Sequence, residues 1–279
     1  MKKEIRAVSF DPEMGVEAYE FKGIMQKFPN HFHDYYVVGF IESGQRLLSC
    51  RNMRYTLGAG DLVLFNPGDN HTCEQVEGGT LDYRCININQ DVMRRAALEI
   101  TGKDFLPYFS ENVLFQSELV AALRELHAMI MLEEEGFKKE ELFLFLMQQL
   151  IEDFADSSPA AVTGASEEIN SICDYLESNY MDNIALKDLS AMTGLNKYYL
   201  IRSFTKQKGI SPYCYLETVR IGKAKKLLEQ GTAPIDAALQ TGFADQSHFT
   251  NFFKRLIGLT PKQYLNIFKN EERCNGNTK

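Results

Sequence analysis

The sequence predicts two domains: a β-barrel or jelly roll followed by two helices, then an all-α domain in which two helix-turn-helix units are joined by a linker helix. Three observations carry that prediction. Short runs rich in Val, Ile, Tyr, Phe and Thr fill residues 35–89 and are cut by turn residues every eight to twelve positions. One local pattern occurs twice, at 184–209 and 235–258: a short apolar helix, a Gly followed by an apolar residue, then a second amphipathic helix. Between the halves lies the segment from Asp156 to Ser166, short, small and polar, with Pro159 and Gly164 inside it, which reads as a linker. The expected boundaries are therefore 1–155, a linker over 156–166, and 167–270.

With 279 residues, the chain is long enough for two separate cores. No run of about 18 apolar residues is present, and MKKEIRAVSFDPEMG lacks the apolar stretch of a signal peptide, so no membrane span and a cytoplasmic location are expected. Six cysteines are scattered without CxxC spacing, as reduced thiols would be. Net charge is −8, which by itself argues against a nucleic-acid partner. Its distribution argues the other way. Residues 166–279 hold 15 Lys and Arg against 12 Asp and Glu, a balance of +3, and the rest of the chain holds 15 against 26, a balance of −11. From Lys187 to Lys226 nine basic residues face two acidic ones, as a surface that meets phosphates requires.

Residues 1–30 are mixed in character and read only as an arm or an edge strand. From Tyr35 three β-rich stretches follow, DYYVVGFIESGQRLLSC, MRYTLGAGDLVLFNPGDNHTCEQV and TLDYRCININ, divided by Ser43-Gly44, Arg51-Asn52, Gly58-Ala59-Gly60, Pro67-Gly68 and Gly78-Gly79. Alternate residues of a strand share a face, so His31 and His33 both look into the barrel mouth, where His71 on a neighbouring strand joins them. DVMRRAALEITG forms a short helix closed by Gly102. A helix pair follows over 117–136 and 138–155, with Leu119, Leu123, Leu126 and Ile130 on one face of the first and Leu142, Leu146, Met147 and Leu150 on one face of the second. Further apolar residues, Ala122, Met129, Phe143 and Phe145, give the pair a second apolar face, which suggests a partner beyond the barrel.

In the C-terminal half, Ile169, Ile172, Cys173 and Leu176 mark a bracing helix. Gly194 and Gly242 occupy the turns, Leu195 and Phe243 plug the small cores, and Asn196 and Asp245 cap the second helices. Leu200 and Phe204 point inward in the first unit, as do Phe249 and either Phe252 or Phe253 in the second. Ser211-Pro212 starts the connecting helix as N-cap and N1. Some 19 residues at about 1.5 Å each cover most of the roughly 34 Å that separates successive major-groove segments on one face of B-DNA. Thr260-Pro261-Lys262-Gln263 opens a closing helix with a capping box.

The tandem pattern, together with ISPYCYLETVRIGKAKKLL and GFADQSHFTNFFKRLIGLTPKQYL, resembles the DNA-binding domain of the AraC/XylS family of bacterial transcription regulators over residues 168–268. The segments HFHDYYVV and GDLVLFNPGDNH resemble the cupin-type sensor domain that precedes it in many members, with Gly60, Pro67, Gly68 and His71 matching the second cupin motif and His31 and His33 standing at the HxH of the first. The resemblance implies a sequence-specific regulator of double-stranded DNA that forms a homodimer through helices within 115–154, responds to a small polar effector in the barrel and, as an activator, touches RNA polymerase.

Matched residue by residue, Tyr198, Ile201 and Arg202 in the first unit are candidates for base edges, and in the second the inward phenylalanines leave Gln246, Ser247, Thr250 and Asn251 for the groove. Ile201 replaces a polar residue and Asn251 an arginine common at those positions. Lys197, Lys206, Arg220, Lys254 and Arg255 are candidates for phosphates, Arg220 being equally an internal salt bridge. His31, His33, Tyr35 and His71 are candidates for the effector, and Tyr55, Phe65 and Tyr83 read as core aromatics. The carboxylate that follows the HxH of metal-binding cupins is absent, since Val37 and Val38 stand there, so His31, His33 and His71 are given a metal only as a second reading, and no cofactor is implied. Two rival functions remain open: a metal-dependent cupin enzyme fused to a DNA-binding module, and a constitutive DNA-binding dimer that takes no ligand.

Overall fold

The computed structural model describes residues 4–134, 137–156 and 167–275. The chain forms two compact units, one built on residues 1–27 and 33–161, the other on 28–32 and 162–279. The linker expected at 156–166 lies outside the described residues apart from Asp156.

The first unit is a two-sheet sandwich rather than one closed barrel. The strands are β1 (Ile5–Asp11), β2 (Val16–Ile24), β3 (Phe28–His31), β4 (Tyr36–Ser43), β5 (Arg46–Cys50), β6 (Met53–Leu57), β7 (Leu62–Phe65), β8 (His71–Gln75), β9 (Leu81–Ile88) and β10 (Val113–Leu114). Apart from β3, whose residues belong to the second unit, they lie in a six-stranded sheet ordered β1-β2-β9-β4-β7-β10 and a second sheet ordered β8-β5-β6. The predicted turns fall between strands, with Gly44, Gly60, Gly68 and Gly78 all at positive φ.

The sequence reading underestimated residues 1–30. Val16 and Ala18 are fully buried, and β2 pairs with β9 from Val16↔Ile88 to Ile24↔Leu81 within the large sheet. Glu17, Glu20 and Lys22 interrupt the apolar pattern there. Glu17 is nonetheless buried, and its carboxylate accepts from the Asn87 amide.

Strand alternation divides the large sheet cleanly. Tyr36, Val38, Phe40, Leu62, Leu64, Ile86 and Ile88 pack with the helices α1 (Gln90–Thr101), α2 (Leu119–Met131) and α3 (Phe137–Phe154) in one apolar core. Leu123, Leu126, Ile130, Leu146, Met147 and Leu150 supply the helical side of that core, as their spacing predicts. Of the second apolar face, Met129 and Phe143 are buried and Phe145 is exposed. The sheet's other face points into the sandwich, where Phe65 of β7 stacks on His71 of β8 with ring centroids 4.0 Å apart. His127 is satisfied within the core, its Nε2 2.9 Å from the Tyr19 carbonyl.

Apart from β3, the second unit is helical: α4 (Glu167–Ser178), α5 (Leu186–Thr193), α6 (Lys197–Lys208), α7 (Pro212–Glu229), α8 (Pro234–Gln240), α9 (Gln246–Ile257) and α10 (Pro261–Asn275). The caps read from the sequence are in place. Asn196 accepts from the Tyr199 amide at 2.9 Å, Ser211 from the Cys214 amide at 3.2 Å, and Asp245 from the His248 amide at 2.7 Å. Thr260 and Gln263 cap each other reciprocally at 2.9 and 3.3 Å. Gly194 and Gly242 take φ of 71° and 79° in the two turns. Among the described residues no helix is long and apolar enough to cross a membrane.

Candidate functional site

Each helix-turn-helix unit presents one helix whose inner side is buried and whose outer side is polar. In α6, Leu200 and Phe204 are fully buried, which leaves Lys197, Arg202 and Lys206 exposed together with Ile201 at 40% exposure. The Tyr198 side chain lies outside the described residues. Ile201 is a β-branched apolar group held at the surface, where a cost in solvation is tolerated only as part of a contact or as an isolated exposed residue.

In α9 the inward face is wholly aromatic and aliphatic: Phe249, Phe252 and Phe253 are all buried, with Phe249 and Phe253 ring centroids 5.6 Å apart and Phe253 against Tyr264 at 5.7 Å. The sequence left Phe252 and Phe253 as alternatives, and the structure buries both. What remains outward is an open depression of about 310 Å³ lined by Gln246, Ser247, Thr250 and Asn251. These are the four residues that helical spacing singles out, and they offer amide and hydroxyl groups without a fixed charge. Lys254 and Arg255 flank them at the exposed C-terminal end, with the Arg255 guanidinium 4.2 Å from the Phe252 ring centroid.

Arg220, a candidate for a phosphate, is placed elsewhere. It is 8% exposed; its Nε donates to the Tyr180 carbonyl at 2.8 Å, its Nη2 to the Asp182 carbonyl at 2.9 Å, and its Nη1 lies 3.4 Å from the Glu217 carboxylate. Its charge is committed inside the domain, which corrects the phosphate assignment in favour of the internal salt bridge. Sequence could not separate the two because the linker helix turns Arg220 toward the loop after α4, a tertiary contact no periodicity encodes.

In the first unit, three of the candidates for an effector, His33, Tyr35 and His71, gather together. His33 stacks on Tyr35 at 4.7 Å and meets the His71 ring at 5.2 Å. His71 is buried, and burial pushes its pKa down to about 4, so it is neutral near pH 7. Its Nδ1 is 2.9 Å from the Asp69 carbonyl, and the Nδ1 of His31 is 2.7 Å from the Pro29 carbonyl. A carbonyl oxygen only accepts, so each Nδ1 carries a proton. Ligating nitrogens of His33 and His71 lie within 4.8 Å of each other. The neutral His71 ring, with its tautomer fixed by a backbone carbonyl, fits a hydrogen-bonding ligand, and no carboxylate belongs to the group.

Sequence reasoning passed over Arg46, the largest fully buried side chain among the described residues. In RLLSC both Leu47 and Leu48 are apolar, so the alternation that assigns Arg46 to the buried face becomes visible only with the pairing of β5.

Comparison with known proteins matches this arrangement domain by domain. Residues 13–150 match the AraC-like ligand binding domain and residues 189–267 a helix-turn-helix domain. The chain is 58% identical over 272 residues to the HTH-type transcriptional regulator YbfI of Bacillus subtilis (strain 168), covering 97% of this chain and 99% of the relative. It is 24% identical to the HTH-type transcriptional activator RhaS of Klebsiella pneumoniae (strain 342), over 94% of this chain and 92% of that one. In fold it is similar to ToxT of Vibrio cholerae strain SCE256 with unsaturated fatty acid bound, at a TM-score of 0.55 and 18% identity over 97% of this chain and 99% of that structure. The chain is thus a member of the AraC family of helix-turn-helix transcription regulators, with a ligand-binding domain followed by a DNA-binding domain.

Proposed function

We propose that this regulator is an activator that reads its operator with α6 and α9 and is controlled by a small molecule bound in the sandwich of its first unit. The single observation that carries the DNA-reading half is the pairing, in both helix-turn-helix units, of an N-capped helix with a buried inner face and a polar outer one. Tyr198, Ile201 and Arg202 read one major-groove segment, and Gln246, Ser247, Thr250 and Asn251 the next. Lys197, Lys206, Lys254 and Arg255 hold phosphates and set the register.

Arg202 supplies a guanidinium suited to guanine, while Gln246 and Asn251 suit adenine. An uncharged α9 face beside a charged α6 face makes the first segment the stronger determinant of sequence. The effector reading rests on the convergence of His33, His71 and Tyr35 in a mostly apolar sandwich. Effector binding shifts the balance between bound arrangements by a few kcal/mol, with no catalytic step. The active species is a cytoplasmic homodimer joined through helices within 115–154, a reading supported by exposed Phe145 on α3 and Leu132 after α2, and it activates by contact with RNA polymerase. That YbfI and RhaS are named as transcriptional regulators, RhaS as an activator, supports the reading.

Two substitutions separate the assigned roles. Arg202→Ala is expected to reduce discrimination at one operator base pair by about 1–3 kcal/mol while leaving nonspecific binding nearly intact. Lys254→Ala is expected to weaken binding to all sequences alike and to lower the salt slope by about one unit. Competition between operator and random duplex across a salt series measures both, and identical losses on every sequence for the two variants would remove the distinction between reading and anchoring residues.

A further inference from the structure

Residues 28–32, FPNHF, belong to the helical unit, although the chain on both sides of them, through Lys27 and from His33, belongs to the first. Pro29 fixes its own φ and biases Phe28 toward extended backbone, so the stretch is stiff. Strand β3 takes up Phe28–His31, and the His31 Nδ1 donates back to the Pro29 carbonyl at 2.7 Å. A residue spans at most about 3.5 Å, so so short a stretch cannot shift without pulling on the chain at its ends.

Two side chains grip the helical unit. The Asn30 amide donates from Nδ2 to the Gly209 carbonyl at 2.7 Å. Gly209, at φ 72°, is the C-cap of α6, and carbonyls at a helix C-terminus have no partner within the helix. The Phe32 ring centroid lies 4.9 Å from that of Tyr215 on α7, and Tyr215 in turn meets Phe204, a fully buried inner residue of α6, edge-on at 5.5 Å. Phe32 thereby joins the apolar core of the first helix-turn-helix unit. Strand β3 also lies beside α9. One stretch therefore reaches the end and the inner face of one reading helix and adjoins the other.

The next residue along the chain is His33, whose ring stacks on Tyr35 and meets His71 in the first unit. A single peptide bond, planar and stiff, joins the Phe32 grip to these effector residues. We propose that residues 28–32 are a strap that carries the occupancy of the His33, Tyr35 and His71 site to α6 and α9, with Asn30 and Phe32 as its grips. The inference rests on the effector-binding and DNA-reading conclusions above and adds the route between them. Coupling between sites is reciprocal, so an operator held by α6 and α9 alters the backbone beside His33 even without effector.

The test is amide hydrogen exchange of the full chain, alone, with a duplex selected from a random pool and with a random duplex at equal occupancy, read over residues 33–38. The selected duplex is expected to slow exchange there about fivefold or more, the low end of ordinary coupling between sites, and the random duplex to leave it unchanged. A short flexible Gly/Ser insertion between Phe32 and His33 keeps both grips and slackens the strap, so affinity for the selected duplex is expected to stay within about threefold of native while the slowing disappears. Asn30→Ala combined with Phe32→Ala is expected to remove the slowing as well; should that variant fail to fold, the insertion decides. Unchanged exchange in the native chain with the selected duplex bound, or slowing that persists after the insertion, overturns the strap. Failure of the native chain to prefer any duplex over random sequence is a different result, which removes the DNA-reading conclusion and the strap with it.

Discussion

Replacing Arg220 by alanine is expected to destabilise the helical unit by about 3–5 kcal/mol, the range for breaking a buried pair on one side. The guanidinium ties α7 to the carbonyls of Tyr180 and Asp182, and its removal strips the 1%-exposed Glu217 of its nearest cation. Glu217 Oε2 already lacks a hydrogen-bond partner, and His248 Nε2 stands 3.8 Å away. The variant therefore leaves a buried carboxylate in the domain core with the Tyr213 hydroxyl as its remaining hydrogen-bond partner and no close cation. Replacing both members, Arg220→Met with Glu217→Met, is expected to recover more than half of the loss, because the pair itself contributes little net stability compared with an apolar substitute. Urea titration of the full chain followed by circular dichroism measures both. Were Arg220 a phosphate contact, its alanine variant would instead unfold at the native urea concentration and lose only salt-dependent DNA affinity.

The two turn glycines are expected to respond unequally to the same substitution. A Cβ on Gly242 would stand 2.8 Å from the Met181 carbonyl oxygen and 2.9 Å from that of Tyr180, both backbone atoms that cannot step aside. Strain at φ 79° adds to the overlap, so Gly242→Ala is expected to cost about 2–5 kcal/mol. Gly194 has a similar φ of 71° but nothing within 4 Å of its would-be Cβ, so Gly194→Ala is expected to cost only the backbone term, about 1–2 kcal/mol. Equal losses in urea titration would mean that the carbonyls after α4 do not pack on the second turn as described. The contrast also concerns function, since Gly242 sets the angle at which α9 leaves its turn.

Local chemistry was the legible part of this sequence. Asn196, Ser211, Asp245 and Thr260 announce their helices through side-chain caps that need no tertiary context, and each cap is made. The outward residues of α9 followed from helical spacing alone and line one depression. Illegible features are those decided between distant segments. β2 hides its place inside the sheet because Glu17 is buried opposite Asn87, a pairing invisible before β9 is folded against it. Arg220 and Arg46 both look like surface charges in one dimension, and each is buried by contacts made 38–40 and 22–33 residues away. The HxH spacing drew attention to the histidines for a reason the fold does not keep: β3 ends at His31, so His33 stands in the loop before β4 and not beside His31 on one strand, and the Nδ1 partners of His31 and His71, the carbonyls of Pro29 and Asp69, are set by local backbone.

The central claim is that α6 and α9, braced by the 18-residue helix α7, form two reading heads for successive turns of one duplex. At about 1.5 Å per residue α7 is about 27 Å long, of the order of the one-turn spacing. Selection of bound duplexes from a random pool by the purified full-length chain tests this most directly. The account predicts that each bound half-site carries two enriched blocks centred about 10–11 base pairs apart, with the block assigned to α6 losing enrichment in Arg202→Ala and the other block retained. A single enriched block per protomer, or two blocks offset by half a helical turn, would contradict it.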